Sequence, residues 1–296
     1  MRIPAGLEAS RARGPAWGSW LDGLPGLVEG LVGEWRLTLD GAPMHGYAAL
    51  VLPVRTTSGR RAVLKIGWPH PEAEHEHLAL KRWAGDGSVE LIRADPHRYA
   101  LLLERLHPED LTDLWDVAAC EIVAGFYPRI HVPALPQLRT LTSYVDGWTA
   151  DLAALSASAL LPPRLVRQAV SIGRAFLADD ASVGTMIHGD LHYENVLAAD
   201  REPWLVIDPK PMSGDPHYEV APLLFNRYQE LAGDFRDGTR RRFHTVVDVA
   251  GLDEDRARDW VVFRMMCNAM WGIKQPTTGL HEELTMCVAV AKAVQA

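Results

Sequence analysis

Asp190, Asn195 and Asp208 are the residues of this 296-residue chain whose types and spacing most directly describe a reaction. Asp190 and Asn195 stand five apart in the run Thr185-Met186-Ile187-His188-Gly189-Asp190-Leu191-His192-Tyr193-Glu194-Asn195-Val196-Leu197. Asp208 follows 13 residues after Asn195, at the end of Trp204-Leu205-Val206-Ile207. Each half is an apolar, strand-like run that delivers polar residues at its end. Such a set suits phosphoryl transfer, which asks little covalent chemistry of a protein: a hydroxyl must be aligned and triphosphate charge neutralised. Asp190 would accept the hydroxyl proton and aim the oxygen. Asn195 and Asp208 offer the hard oxygen ligands that suit Mg²⁺.

The spacing is that of a kinase catalytic loop followed by its metal-binding Asp. A second feature agrees with it. Lysine is scarce here, five residues against 25 arginines, yet Ala62-Val63-Leu64-Lys65-Ile66 sets one inside an apolar strand. An ammonium in such a place is costly unless paired. In the helix predicted after Pro71, Ala79, Leu80 and Trp83 fall at i+3, i+4 and i+7 from Glu76, so this acid lies on the apolar stripe and is the natural partner. Glu72 and Glu74 on the same segment are the alternatives. Lys65 would then reach nucleotide phosphates.

The elements that must position these groups are legible in outline. Leu27, Leu31 and Trp35 predict a short helix from Leu24 to Trp35. Residues 35–39, 47–54 and 61–66 read as three antiparallel strands, joined by the wide loop Gly41-Ala42-Pro43-Met44-His45-Gly46 and a tight turn at Thr56–Arg60. The wide loop sits where a phosphate-covering loop is expected, although it is not G-x-G-x-x-G. Strands are predicted again at 88–94 and 99–106. Beyond residue 107 the period turns helical, with Leu165, Ala169, Ile172 and Phe176 on one face and helices near 255–271 and 281–294. Pro133, Pro136 and Pro162-Pro163 mark loops. The expectation is an α+β chain with a small β-rich part over 1–106 and a larger helical part over 107–296.

Composition narrows the function classes. A net charge of −8 argues against general binding to nucleic acid or an anionic membrane surface. No stretch approaches the ~20 apolar residues of a bilayer helix, and the N-terminus lacks a signal core. Cys120, Cys267 and Cys287 are widely spaced and odd in number, which suits a reducing, cytoplasmic setting rather than a disulfide framework or zinc knuckle. His188 and His192 flank Asp190 as zinc ligands could, but no third ligand follows in a metalloenzyme pattern, and His188 is expected only to position the loop. Trp271, near Asn268, is expected to pack, the alternative being a wall of an acceptor pocket.

With these residues in view the chain resembles the aminoglycoside phosphotransferase-like kinases, and within them the streptomycin/hydroxyurea phosphotransferase branch. The likeness rests on His188 to Leu197, Trp204 to Lys210, and Gly214-Asp215-Pro216-His217-Tyr218-Glu219 to Ala221-Pro222-Leu223-Leu224. It implies a bilobal protein-kinase-like fold, a small antiparallel sheet lobe and a larger mainly helical lobe. It also implies ATP with Mg²⁺ as cofactors and γ-phosphoryl transfer to a hydroxyl of a small antibiotic-like molecule, with no nucleic acid, membrane or obligate protein partner. By the same likeness Leu103 to Leu106, including Glu104 and Leu106, is the hinge that contacts adenine through its main chain. Gly189 replaces the Arg of H-R-D and Asp208-Pro209-Lys210 replaces D-F-G, so control by loop phosphorylation is not expected. His192 or Lys210 would shield the transferring phosphoryl group. The charge leans towards a cationic acceptor. The competing readings are a housekeeping kinase for an amino sugar or amino alcohol, and a nucleotide-binding pseudokinase module; the joint presence of Lys65, Asp190, Asn195 and Asp208 speaks against the latter.

Overall fold

The aliphatic runs around the Thr56–Arg60 turn pair into a hairpin, and the rest of one sheet is built on it. The computed structural model describes residues 2–155, 160–275 and 279–296. Its strands are β1 (Thr38–Leu39), β2 (Met44–His45), β3 (Ala49–Arg55), β4 (Arg61–Gly67), β5 (Leu91–Asp95) and β6 (Ala100–Glu104). They form one sheet in the order β1-β3-β4-β6-β5, with β2 also on β3, and every pairing is antiparallel. The wide loop after β1 therefore carries a two-residue strand of its own, which composition alone does not reveal.

Alternation decides what each face of the sheet does. Leu50, Leu52 and Val54 pair with Ile66, Leu64 and Ala62, and Leu64 and Ile66 pair with Leu102 and Ala100. All of these join one buried cluster with Leu21, Leu24, Val28 and Leu31 of the helix Pro15–Glu34. Val63 and Lys65 are out of phase with that set and belong to the other face. The helix begins nine residues before the predicted Leu24. Its glycines and Pro25 read as breakers, yet Trp17, Leu21, Leu24, Val28 and Leu31 keep a 4-3-4-3 spacing and are all buried. An internal proline costs about 3 kcal/mol, and each fully buried leucine returns about 1.5–3 kcal/mol, so the stripe prevails.

The chain divides into two compact units. The first holds the residues up to Pro108 together with Ala198–Leu205; the second holds Glu109–Leu197 and Val206–Ala296. Arg201 belongs to the first unit, where it donates to the Glu104 carboxylate at 3.0 Å, to the Gly85 carbonyl at 2.7 Å, and to the Ser88 carbonyl.

The second unit is mainly helical. Glu254–Lys274 packs against both Leu280–Ala293 and Pro163–Leu177, Leu141–Ala154 lies on Pro163–Leu177, and Asp116–Gly125 lies on Phe235–Ala250. Pro163 occupies the first turn of its helix, where a missing N–H costs nothing. Phe176 stacks on Trp260 with ring centroids 3.7 Å apart. A small sheet, Met212–Gly214, Thr185–Ile187 and Val132–Pro133 in that order, delivers the segment carrying Asp190. Cys120, Cys267 and Cys287 are free and buried; burial pushes the Cys120 thiol up to about 11 and Cys287 to about 12. Among the described residues no helix is long and apolar enough to cross a membrane.

Candidate active site

In the first unit, Lys65 Nζ donates to Glu76 Oε1 at 2.6 Å, with only 14% and 8% of the two side chains exposed. Of the three nearby carboxylates, Glu76 is thus the one that takes the lysine. The pairing follows from phase: Lys65 leaves β4 on the face opposite Leu64 and Ile66, and Glu76 opens the helix Glu76–Trp83 on the same stripe as Ala79, Leu80 and Trp83. The predicted hinge, Leu103 to Leu106, takes in the last two residues of β6 and the two that follow it. The Glu104 carboxylate accepts from Arg201 and from the Glu90 amide at 3.1 Å. Its side chain is committed to holding the segment in shape, and its amide donates to the Glu90 carbonyl at 2.9 Å.

In the second unit, the strand Thr185–Ile187 ends in His188, which is wholly buried. Its Nδ1 accepts from the Asp190 amide at 3.2 Å and its Nε2 lies 2.8 Å from the Ile207 carbonyl. These partners define a neutral ring protonated on Nε2, and burial lowers its pKa. With both nitrogens engaged, His188 has no lone pair for a zinc ion. The Lys210 amide donates to the His188 carbonyl at 2.8 Å, so residues 188–190 and 207–210 are tied together twice.

Gly189 is what the turn requires. It has φ +85°, and a Cβ there would stand 2.3 Å from the Lys210 carbonyl oxygen. Its amide donates to Glu219 Oε1 at 2.6 Å, and the other oxygen of that buried carboxylate is 2.6 Å from His131 Nε2. The arginine of H-R-D has no room here. Gly189→Ala should cost about 1–2 kcal/mol from the left-handed backbone alone, plus the displacement of Lys210. It is expected to lower both the melting temperature and kcat; a variant with wild-type melting and turnover would refute this account of the turn.

Asp190 pairs with Lys210 Nζ, both side chains being about a quarter to a third exposed. Asn195 Nδ2 donates to the Asp190 carbonyl at 2.8 Å, which closes the loop and presents the amide oxygen on the other side. Between them Tyr193 is buried, its hydroxyl donating to the Leu223 carbonyl at 2.7 Å. The Ile207 amide donates to the Asn195 carbonyl at 2.9 Å, and Asp208 follows in the left-handed region at φ +56°. A non-glycine residue held there is the kind of backbone strain that clusters at functional sites. An amide oxygen and a carboxylate are hard donors that fit Mg²⁺. His192 is mostly buried, and its Nδ1 has no hydrogen-bond partner, Glu194 standing 3.8 Å away.

Sequence reasoning did not find Glu219, His131 or Arg242, whose contacts bridge 30 to 126 residues. Trp271 packs edge-on against Trp148 at 5.2 Å, and Trp148 stacks on Tyr144 at 5.6 Å. Asp215, which opens the Pro216–Val220 turn, takes His217, Arg256 and Trp260; burial opposes its charge, but His217 and Trp260 hold its pKa low.

Residues 34–275 match the family described as aminoglycoside/hydroxyurea antibiotic resistance kinase. The chain is 39% identical to a streptomycin 6-kinase of Streptomyces glaucescens, over 95% of this chain and 94% of that one. It is 37% identical to a hydroxyurea phosphotransferase of Kitasatospora aureofaciens, over 99% and 86%. Among solved structures it is similar in fold to a thermostable mutant of the aminoglycoside phosphotransferase APH(4)-Ia in ternary complex with ADP and hygromycin B. That likeness has a TM-score of 0.58 at 15% identity and covers 90% of this chain and 97% of the other.

Proposed function

The chain belongs to the aminoglycoside/hydroxyurea antibiotic resistance kinases, small-molecule phosphotransferases of protein-kinase-like fold, and from that premise we propose that it phosphorylates a streptomycin-type guanidino-cyclitol with ATP and Mg²⁺. The observation that carries the reading is the Asp190 loop, held on every side by His188, Lys210 and Asn195. The acceptor rests on the likeness to a streptomycin 6-kinase across nearly the whole of both chains. The half-exposed rings of Trp148 and Trp271 also suit guanidinium groups, since Arg264 already lies 5.4 Å from the Trp271 ring and 4.7 Å from that of Tyr218.

In this reading Asp190 accepts the proton of the acceptor hydroxyl as its oxygen bonds to the γ-phosphorus and the bond to the β-phosphate oxygen breaks, releasing ADP. Lys210 fixes the rotamer of Asp190 and keeps positive charge beside the transferring group, and His192 screens it from water. Lys65, held by Glu76, takes the nucleotide phosphates, and the main chain at Glu104 and Leu106 takes the adenine. Asn195 and Asp208 would hold Mg²⁺, which when bound neutralises triphosphate charge.

An ADP-release assay on the purified protein, with streptomycin, hydroxyurea and a set of amino sugars and amino alcohols, tests the proposal. Streptomycin-dependent release with phosphate on the 6-hydroxyl is expected. Turnover of hydroxyurea or of a metabolic alcohol in its place would overturn the acceptor assignment, and ATP binding without any acceptor-dependent release would favour a pseudokinase module.

A further inference from the structure

Residues before the family-matching stretch 34–275 grip the loop between β1 and β3 from one side. The short helix Ala5–Glu8 touches β2: a Cβ on Gly6 would stand 2.3 Å from His45 Nε2, so the glycine is what lets the imidazole lie against the backbone. Further along the loop is gripped again: Arg13 Nη1 donates to the Tyr47 carbonyl at 3.3 Å, and its guanidinium lies 3.9 Å from the Tyr47 ring centroid and 4.8 Å from that of Trp17. Trp17 in turn stacks on Trp68, with centroids 4.3 Å apart and planes within 7°, and the Trp68 amide donates to the Ala48 carbonyl at 2.7 Å. His45, Tyr47 and Ala48 are thus all fastened, directly or through Trp68, to the segment Gly6–Trp17.

We propose that Arg13 is a positioning residue for the nucleotide, and that the segment Gly6–Trp17 is a strap fixing the loop 41–48 in the pose that covers the phosphates. This rests on the kinase reading of that loop. The loop has reason to need a strap. It lacks the G-x-G-x-x-G pattern, its own strand β2 makes only two pairings, Met44 with Val51 and His45 with Leu50, and so short a ribbon is marginal by itself. A loop that must be ordered when nucleotide arrives weakens binding by that ordering cost, whereas one already held does not. Packing is a poor alternative explanation of the Arg13–Tyr47 contact, because Arg13 is exposed and Tyr47 is 81% exposed.

The test is carried out on the full chain. In Arg13→Ala and in Tyr47→Leu, KM for ATP and the Kd of a non-hydrolysable ATP analogue should rise about three- to tenfold, while kcat stays within about twofold and the acceptor KM and melting temperature stay at wild-type values. Tyr47→Phe, which keeps the ring, should behave as wild type, and the double variant Arg13→Ala/Tyr47→Leu should be no worse than Arg13→Ala, because the ring acts on the loop only through Arg13. Unchanged nucleotide affinity in Arg13→Ala, with or without a lower melting temperature, would overturn the strap alone. A wild-type protein that binds no ATP analogue would overturn the kinase reading and the strap with it.

Discussion

Asp190→Ala is expected to lower kcat by about 10²–10⁴-fold, the range a positioned general base supplies, while ATP still binds. The division between the two effects follows from what the residue touches. Asp190 presents its carboxylate to Lys210, and it contributes to the loop through its main chain, the amide to His188 and the carbonyl to Asn195. Truncating the side chain removes the proton acceptor and leaves both main-chain bonds in place, so the loop keeps its shape. Asp208→Ala should behave differently, weakening Mg²⁺-dependent ATP binding, because its carboxylate is a proposed metal ligand rather than a base. Steady-state kinetics beside calorimetry with a non-hydrolysable ATP analogue separates the two. An Asp190→Ala enzyme that turns over like wild type would remove the base assignment, and equal loss of ATP binding in both variants would mean that Asp190 serves the metal as well.

The parts of the site that were legible are those governed by short periods. Lys65 stands out as a lysine inside an apolar strand, and Glu76 falls on the inner stripe of its helix by counting threes and fours, and the two meet at 2.6 Å. The hairpin of β3 and β4 lies within two residues of its predicted bounds for the same reason. Breaker residues misled where a long stripe outweighed them, so the helix Pro15–Glu34 was foreseen only from Leu24; the 4-3-4-3 spacing back to Trp17 was the available signal. What could not be read were contacts made by single side chains across the fold. Glu219 stood in a stretch notable for its likeness to a family, yet nothing local says that one oxygen meets the Gly189 amide and the other His131. The segment Ala198–Leu205 belongs with residues up to Pro108, which no single boundary along the chain can express.

The same kind of long-range contact sets the second large expectation. Arg242 is fully buried; its Nε donates to Asp116 Oδ2 at 2.8 Å, and its remaining nitrogens donate to the Asn226 and Arg227 carbonyls at 3.0 and 3.3 Å. Beside it, 5.8 Å from the guanidinium, lies the ring of Tyr193, the buried residue between Asp190 and Asn195. Arg242→Met should therefore destabilise the protein by about 3–5 kcal/mol, because the change strands the Asp116 carboxylate in the interior and removes the guanidinium donors of the Asn226 and Arg227 carbonyls, of which the second keeps the Glu230 amide. Desolvation rather than lost attraction dominates that figure, and the double variant tests this: Arg242→Met/Asp116→Leu removes the stranded charge and should recover a large part of the loss. Thermal melting followed by tryptophan fluorescence measures both. If Arg242→Met melts within a degree of wild type, the pair is not holding the fold. If the double variant is as unstable as the single one, the cost lies in the carbonyls and in packing around Tyr193, and the charge argument fails. Where the double variant recovers stability but not kcat, the arginine has a further part to play: through Tyr193 it keeps the turn between Asp190 and Asn195 in register.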